Sequence, residues 1–74
     1  MKFKTLDVRP VLARGDEPFP LIRAGVDALP PGRGLRVVAP FMPAPLVEVL
    51  RSEGMSTAIE RRTDGGWEVS IWRE

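Results

Sequence analysis

The sequence predicts an α+β fold, a two-layer α/β sandwich with the element order βαβαββ. Two segments with the apolar spacing of helices each follow a short apolar segment typical of a strand. The chain then closes with two alternating segments around Thr63-Asp64-Gly65-Gly66, which favours a hairpin. Right-handed crossovers place both helices on one face of a four-stranded mixed sheet and leave its other face uncovered.

The first half of the chain is expected to form a strand, a loop and a helix. Residues 4–8 predict the strand, and residues 9–17 predict a polar loop with a proline and a glycine. Residues 18–29 predict the first helix, which Pro30-Pro31-Gly32 should terminate. The apolar side of this helix is formed by Leu21, Ile22, Gly25, Val26 and Leu29.

The second half is expected to form a strand, a helix and a hairpin. Residues 35–39 predict the second strand, with alternate residues on opposite faces. Residues 43–53 predict the second helix, and Gly54 suits the left-handed position that ends it. Residues 56–62 and 67–73 predict the last two strands.

Composition excludes several chemistries. The 74 residues predict a single domain, residues 1–74, and contain no Cys, His or Tyr. Without Cys there is no thiolate nucleophile or persulfide carrier, and without Cys and His the usual zinc, copper and haem ligands are missing. Acid–base catalysis at neutral pH would fall to a perturbed Asp, Glu or Lys. We therefore expect a non-enzymatic protein with no metal and no cofactor.

Charge and hydropathy limit the kinds of partner and the cellular location that we expect. The net charge of +1 argues against nucleic acid, whose binding proteins usually have a strongly basic face. No apolar run approaches the ~20 residues of a membrane helix, and the first residues lack the apolar core of a signal peptide. We expect a cytoplasmic protein. Arg in excess of Lys, 8 prolines and no Asn or Gln fit a thermophile, and a GC-rich genome gives the same bias.

A repeated proline motif opens both predicted helices. Pro18-Phe19-Pro20-Leu21-Ile22 and Pro43-Ala44-Pro45-Leu46-Val47 are nearly superimposable. Proline suits the first helical turn, where its missing N–H has no partner to lose, so helix geometry alone explains the repeat. Both helices begin beyond the carboxyl ends of the first two strands, at the edge where open α/β sheets tend to bind ligands.

The motifs resemble the TusA/SirA-like superfamily of sulfur carriers. The matching segments are Leu6-Asp7-Val8-Arg9, Pro18-Phe19-Pro20 and Asp27-Ala28-Leu29-Pro30-Pro31-Gly32. In those carriers a Cys-Pro-x-Pro segment opens the first helix, and its cysteine carries a persulfide to a partner. Aligned on Pro18 and Pro20, that cysteine falls on Glu17. A carboxylate cannot hold a persulfide, so the resemblance implies the scaffold without the carrier chemistry.

A branch of that superfamily with unknown function looks more similar. It shares Asp7-Val8-Arg9-Pro10, Pro43-Ala44-Pro45-Leu46 and a tryptophan leading the last strand, here Trp67. Members of that branch often carry a histidine before the second Pro-x-Pro, where this chain has Phe41 nearby. At both positions where the superfamily carries a reactive side chain, this chain therefore lacks the cysteine or the histidine.

Protein docking at the edge where the helices begin is the function we expect. Phe19, Phe41 and Met42 lie there in loops or first turns, and Arg9 and Arg14 should form their rim. An apolar centre with a polar rim is the usual composition of an interface. The alternative interpretation is that these side chains cap the ends of a small core.

Other functions for the same edge remain open. A small-anion or ligand sensor would use Arg9, Arg14 and two helix dipoles, although prolines remove N–H donors and Glu17 with Asp16 repels anions. A further possible function is that of an accessory protein in a sulfur-relay or redox pathway that does not itself carry sulfur. In an enzyme, Glu17 could act as a general base, but the sequence shows no second catalytic group to act with it. The helix dipole stabilises an anion beside a helix N-terminus, which is enough to explain a glutamate at this position.

The uncovered sheet face offers a second interface. Val38 and Trp72 should lie on it, with Phe3 as a third candidate. Tryptophan on an open face is a common interface anchor, so a homodimer through this face is a hypothesis. The face is mixed in character, because it also carries Arg36, Glu68 and Ser70.

Overall fold

The structure, a computed structural model, describes residues 2–73 and confirms the α+β fold with a mixed sheet. Its elements are β1 (Lys2–Asp7), α1 (Arg9–Ala13), α2 (Phe19–Asp27), β2 (Arg33–Ala39), α3 (Ala44–Ser52), β3 (Ser56–Arg61) and β4 (Trp67–Trp72). None of these helices has the length and hydropathy needed to cross a bilayer.

The sheet has the strand order β1-β2-β4-β3. β1 runs parallel to β2, whereas β4 is antiparallel to both β2 and β3. The register places Leu6 opposite Val37, Val37 opposite Val69, and Val69 opposite Ile59. Because alternate residues of a strand share a face, this row marks one apolar side of the sheet.

Helices α2 and α3 both pack on that apolar face. Val26 of α2 and Leu50 of α3 are buried with the strand residues Val37 and Ile71. The two-layer arrangement, predicted from right-handed crossovers, is therefore confirmed. Gly54 ends α3 with a φ of +85°, a left-handed conformation that glycine adopts without steric cost, also as predicted.

The predicted loop 9–17 is wrong at its start, where α1 forms. Pro10 lies in the first turn of this short helix, where a missing N–H does no harm. α1 buries Val11 and packs Leu12 against the core. Val8, assigned to the strand from sequence, is the N-cap of α1, although its N–H still donates to the Val38 carbonyl at 2.9 Å.

The ends of α2 also differ from expectation. The helix ends at Asp27 instead of residue 29, and β2 begins two residues early, at Arg33. Leu21, expected on the buried side of α2, is 46% exposed. Ile22 and Val26 already fill the narrow contact with the sheet, so the neighbouring position faces solvent.

Candidate functional site

The two proline-led helix starts bound an apolar pocket of about 250 Å³, which we call the helix-start pocket. It lies where α2 and α3 begin, beyond the carboxyl ends of β1 and β2. Its floor is continuous with the hydrophobic core and is formed by Val8, Leu12, Ile22, Val37, Ala39 and Leu46. Its rim is formed by Glu17, Pro18, Phe19, Phe41, Pro43 and Pro45.

The prolines make this edge poor in hydrogen-bonding groups. Pro18 is the N-cap of α2 and Pro43 the N-cap of α3, and neither helix has a side-chain cap. Pro20 and Pro45 occupy the first turns. Each of the four lacks a backbone N–H, so the helix starts present ring carbons where most helices present donors.

Three large apolar side chains remain exposed at this edge. Phe19 is 38% exposed, Phe41 54% and Met42 42%. Phe19 and Phe41 belong to the rim of the pocket, whereas Met42 follows Phe41 without lining it. Large apolar groups clustered in solvent beside a hollow are typical of binding surfaces. That these residues bind a partner stays a prediction.

Among the described residues, Glu17 is the only charged one that lines the pocket. It is exposed and directly precedes the N-cap of α2. Within residues 2–73, its carboxylate has neither a hydrogen-bond nor an ion-pair partner. The mouth of an otherwise apolar pocket therefore carries one uncompensated negative charge.

Arg9, directly after β1 and Val8, is bonded to two carboxylates. Its Nη2 donates to Asp7 Oδ2 at 2.8 Å, its Nε to Asp7 Oδ1 at 3.0 Å, and its Nη1 to Asp64 Oδ2 at 2.9 Å. The hydrogen bonds from Arg9 hold the pKa of Asp7 below its ordinary value. The same pairing, chiefly with Asp7, raises the pKa of Arg9. Arg9 thus ties the end of β1 to the distant hairpin.

Asp64 is the hairpin's half of this connection. Its Oδ1 accepts the Gly66 N–H at 3.0 Å. That bond and the contact with Arg9 lower the pKa of Asp64 to about 2. Arg62 extends the network, because it contacts Asp64 at 3.2 Å and Glu68 at 3.1 Å. Sequence reasoning placed Asp64 only in the turn, since nothing local indicates a partner 55 residues away.

Arg14 is paired as well. Its Nε lies 3.2 Å from Asp16 Oδ2, and both side chains are largely exposed. Neither Arg14 nor Arg9 lines the helix-start pocket. Residues 2–73 therefore place no unpaired cation at the pocket mouth for a phosphate or carboxylate.

The opposite sheet face carries an aromatic cluster, as the parity of its residues predicts. The Phe3 and Trp72 rings meet edge to face with centroids 6.1 Å apart. The guanidinium carbon of Arg36 lies 4.5 Å from the Phe3 ring centroid, a cation–π distance. Val38, on the same face, is only 2% exposed. Phe3 and Trp72 thus already have contacts within one chain. A homodimer through this face stays a prediction.

The described residues provide little for catalysis. Among residues 2–73, no group of three acidic residues is arranged to hold a metal ion. Glu17 is the one titratable residue among residues 2–73 that lines the pocket, so the lining holds no second group to complete an acid–base pair.

Comparisons with known proteins bear on the family and not on the activity. No curated protein and no solved structure matches the chain. The model of the DUF2249 family, described as an uncharacterized conserved protein, matches residues 5–73. The expectation of a family of unknown function is confirmed, while the tie to TusA/SirA-like proteins stays a prediction. The match extends over nearly the whole chain, which therefore belongs to the DUF2249 family.

Proposed function

We propose that the protein is a non-catalytic adaptor that receives a segment of a partner protein in the helix-start pocket. One observation carries the proposal: exposed Phe19 and Phe41 flank a hollow whose floor is the core itself. A side chain inserted there would exchange water for apolar contacts on all sides. Such anchors in pockets supply most of the binding energy at protein interfaces.

The lining indicates the chemistry of the partner segment. Its anchor is a large apolar side chain, because the described lining is apolar except for Glu17. A Lys or Arg beside that anchor would meet the unpaired Glu17 carboxylate at the pocket mouth. Complementary charge of this kind sets specificity and association rate more than affinity.

The anion-sensor alternative has less support at this edge. Arg9 and Arg14, the cations that it requires, are bonded to carboxylates. The charge left over at the pocket is negative, and the prolines have removed backbone donors. An anion would therefore meet repulsion and few hydrogen bonds.

The TusA/SirA-like resemblance suggests a setting for the adaptor. In those carriers the reactive cysteine aligns with Glu17, so the proposed docking edge coincides with their site of sulfur transfer. A sulfur-relay or redox partner that docks on this edge would have to bring its own reactive group, since the chain contains no Cys. This accessory role is a more specific form of the same proposal.

The docking test uses a random peptide library displayed on phage and selected on the wild-type protein. The double variant Phe41→Ala/Met42→Ala should lose binding of the selected peptides. Its melting temperature should stay within about 2 °C of wild type, because both side chains are exposed. Val49→Ala, which removes an exposed apolar group of α3 outside the pocket lining, is the matched control.

Two results would contradict docking. One is undiminished peptide binding by the Phe41→Ala/Met42→Ala variant. The other is a melting temperature lowered by several degrees, which would show that Phe41 and Met42 belong to the core.

A further inference from the structure

A second pocket, of about 350 Å³, lies at the other end of the sheet, and we call it the distal pocket. It occupies the corner between β1, the start of β2 and the end of α2. Its walls are apolar and include Phe3, Leu29, Pro30 and Leu35. Two cationic residues, Lys4 and Arg33, also line the pocket, and no carboxylate among residues 2–73 does so.

The sequence explains why cations lie at this corner. Lys4 pairs with Leu35 in the register, and Lys2 pairs with Arg33, so all three basic residues have the helix-side parity of Leu35. Positions of that parity are normally apolar where a helix covers them. Here α2 has ended at Asp27, and Gly25 and the C-cap residue Ala28, which line the corner, are both small. The basic residues therefore border an open, apolar space.

These cations are not neutralised within the described chain. Among residues 2–73, no carboxylate lies within ion-pair distance of Lys4 or Arg33. Asp27, at the end of α2, is bonded to Arg23 at 3.1 Å. Lys2 likewise takes part in none of the ion pairs and adds to the positive charge of this end.

We propose that the distal pocket binds a small organic anion with an apolar body, of the class of medium-chain or aromatic carboxylates. The anionic head would contact Lys4 and Arg33, and the guanidinium fork can hold a carboxylate through two hydrogen bonds. The apolar body would lie against Leu29 and Leu35. A volume of about 350 Å³ falls within the ~300–1,000 Å³ of ordinary ligand pockets. This site is independent of the docking edge at the opposite end.

Octanoate is the probe, titrated into the full chain by isothermal calorimetry. Acetate has the same head without the body, and octanol has a similar body without the charge. Saturable binding of octanoate with little binding of acetate or octanol is expected, because the site needs both parts. Equal binding of octanol and octanoate, or no binding of octanoate, overturns the proposal.

Variants locate the site. Lys4→Glu/Arg33→Glu should weaken octanoate binding by about tenfold or more, since hydrogen bonds to charged groups are the strong ones. Ala28→Leu places a larger side chain in the pocket from an exposed position and should abolish binding while the protein stays folded. Arg51→Glu/Arg61→Glu, at two exposed arginines outside the pocket, is the charge-matched control and should bind octanoate as wild type does.

The remaining outcomes also decide the matter. Unchanged binding in Lys4→Glu/Arg33→Glu or in Ala28→Leu overturns the assignment of the pocket. Binding to vesicles of anionic phosphatidylglycerol without binding of octanoate overturns it in favour of a membrane surface. A folded Ala28→Leu variant, verified by circular dichroism, guards against a loss that comes only from misfolding.

Discussion

The two ends of the sheet carry pockets of similar size and opposite charge. At the helix-start pocket the nearby arginines, Arg9 and Arg14, are bonded to carboxylates, and Glu17 is left unpaired. At the distal pocket Lys4 and Arg33 have no carboxylate partner among residues 2–73. Within residues 2–73, the charges that the fold leaves unpaired at the two pockets therefore have opposite sign, and this difference decides what each pocket can bind.

The largest expected difference is between substitutions in the floor and in the rim of the helix-start pocket, measured as changes in the free energy of unfolding. Leu46→Ala removes a buried floor residue, 6% exposed, and should lower the free energy of unfolding by about 2–5 kcal/mol. Phe41→Ala on the rim should change it by no more than about 0.5 kcal/mol. Urea unfolding measures both. A similar cost at the two positions would contradict the division into a core floor and a free rim.

Gly34→Ala tests the packing beside the distal pocket. A Cβ at Gly34 would stand 2.6 Å from Phe3 Cδ2, well inside van der Waals contact. The substitution should lower the free energy of unfolding by about 1–3 kcal/mol through overpacking.

A double variant shows whether Phe3 is the cause. In Phe3→Ala/Gly34→Ala the ring is gone, so the added methyl group should cost much less than it does alone. If Gly34→Ala costs as much in the Phe3→Ala background, the nearby Ile71 carbonyl, 3.0 Å from the added Cβ, is the obstacle instead.

Lowering the pH should destabilise the protein mainly through the ion pairs at the helix-start end of the sheet. The folded-state pKa of Asp64, about 2, lies below its ordinary 3.8. The stabilisation is therefore present above about pH 4 and is lost as pH falls towards 2. Asp64→Asn should lower the melting temperature by a few degrees at pH 7 and flatten its decline between pH 4 and pH 2, although exposure and salt weaken such pairs.

The control for the acid prediction is Asp16→Asn, which removes an exposed carboxylate paired only with Arg14. Its melting curve should follow that of wild type across the same pH range. An Asp64→Asn variant with an undiminished decline between pH 4 and pH 2 would show that other carboxylates cause it.

The smallest expected effect is association through the open sheet face. Trp72 and Phe3 already contact one another, so little apolar surface is left to anchor a second copy. We expect a dimer only at high micromolar concentration, with a mass that rises with concentration in light scattering. A monomer mass throughout that range would remove the homodimer hypothesis.

Most of the fold was predictable because it depends on local patterns. The alternation through Leu35, Val37 and Ala39 gave the central strand, and the apolar spacing of Leu46, Val47 and Leu50 gave the face of α3. Helix α1 was missed entirely because proline is common both in loops and in the first turn of a helix. The helical spacing of apolar residues also could not show that Leu21 would lie outside the narrow contact of α2 with the sheet.

The site was predictable only in part. The repeated Pro-x-Pro segments located the helix-start edge, since both helices must begin beyond the carboxyl ends of β1 and β2. The partner of Arg9 was not predictable, because Asp64 lies 55 residues away and is brought near only by the strand order. The distal cations were missed for the same reason: Lys4 and Arg33 become neighbours only through the parallel pairing of β1 with β2.

The most direct test of the account is a charge reversal at Glu17. Peptides selected from a displayed library on the wild-type protein should share a large apolar residue flanked by Lys or Arg. Selection on Glu17→Lys should keep the apolar residue and replace its basic neighbour by Asp or Glu. Glu48→Lys, at an exposed residue of α3 outside the pocket, should select the wild-type pattern. The same basic pattern selected on Glu17→Lys would contradict a docking site at the helix-start pocket.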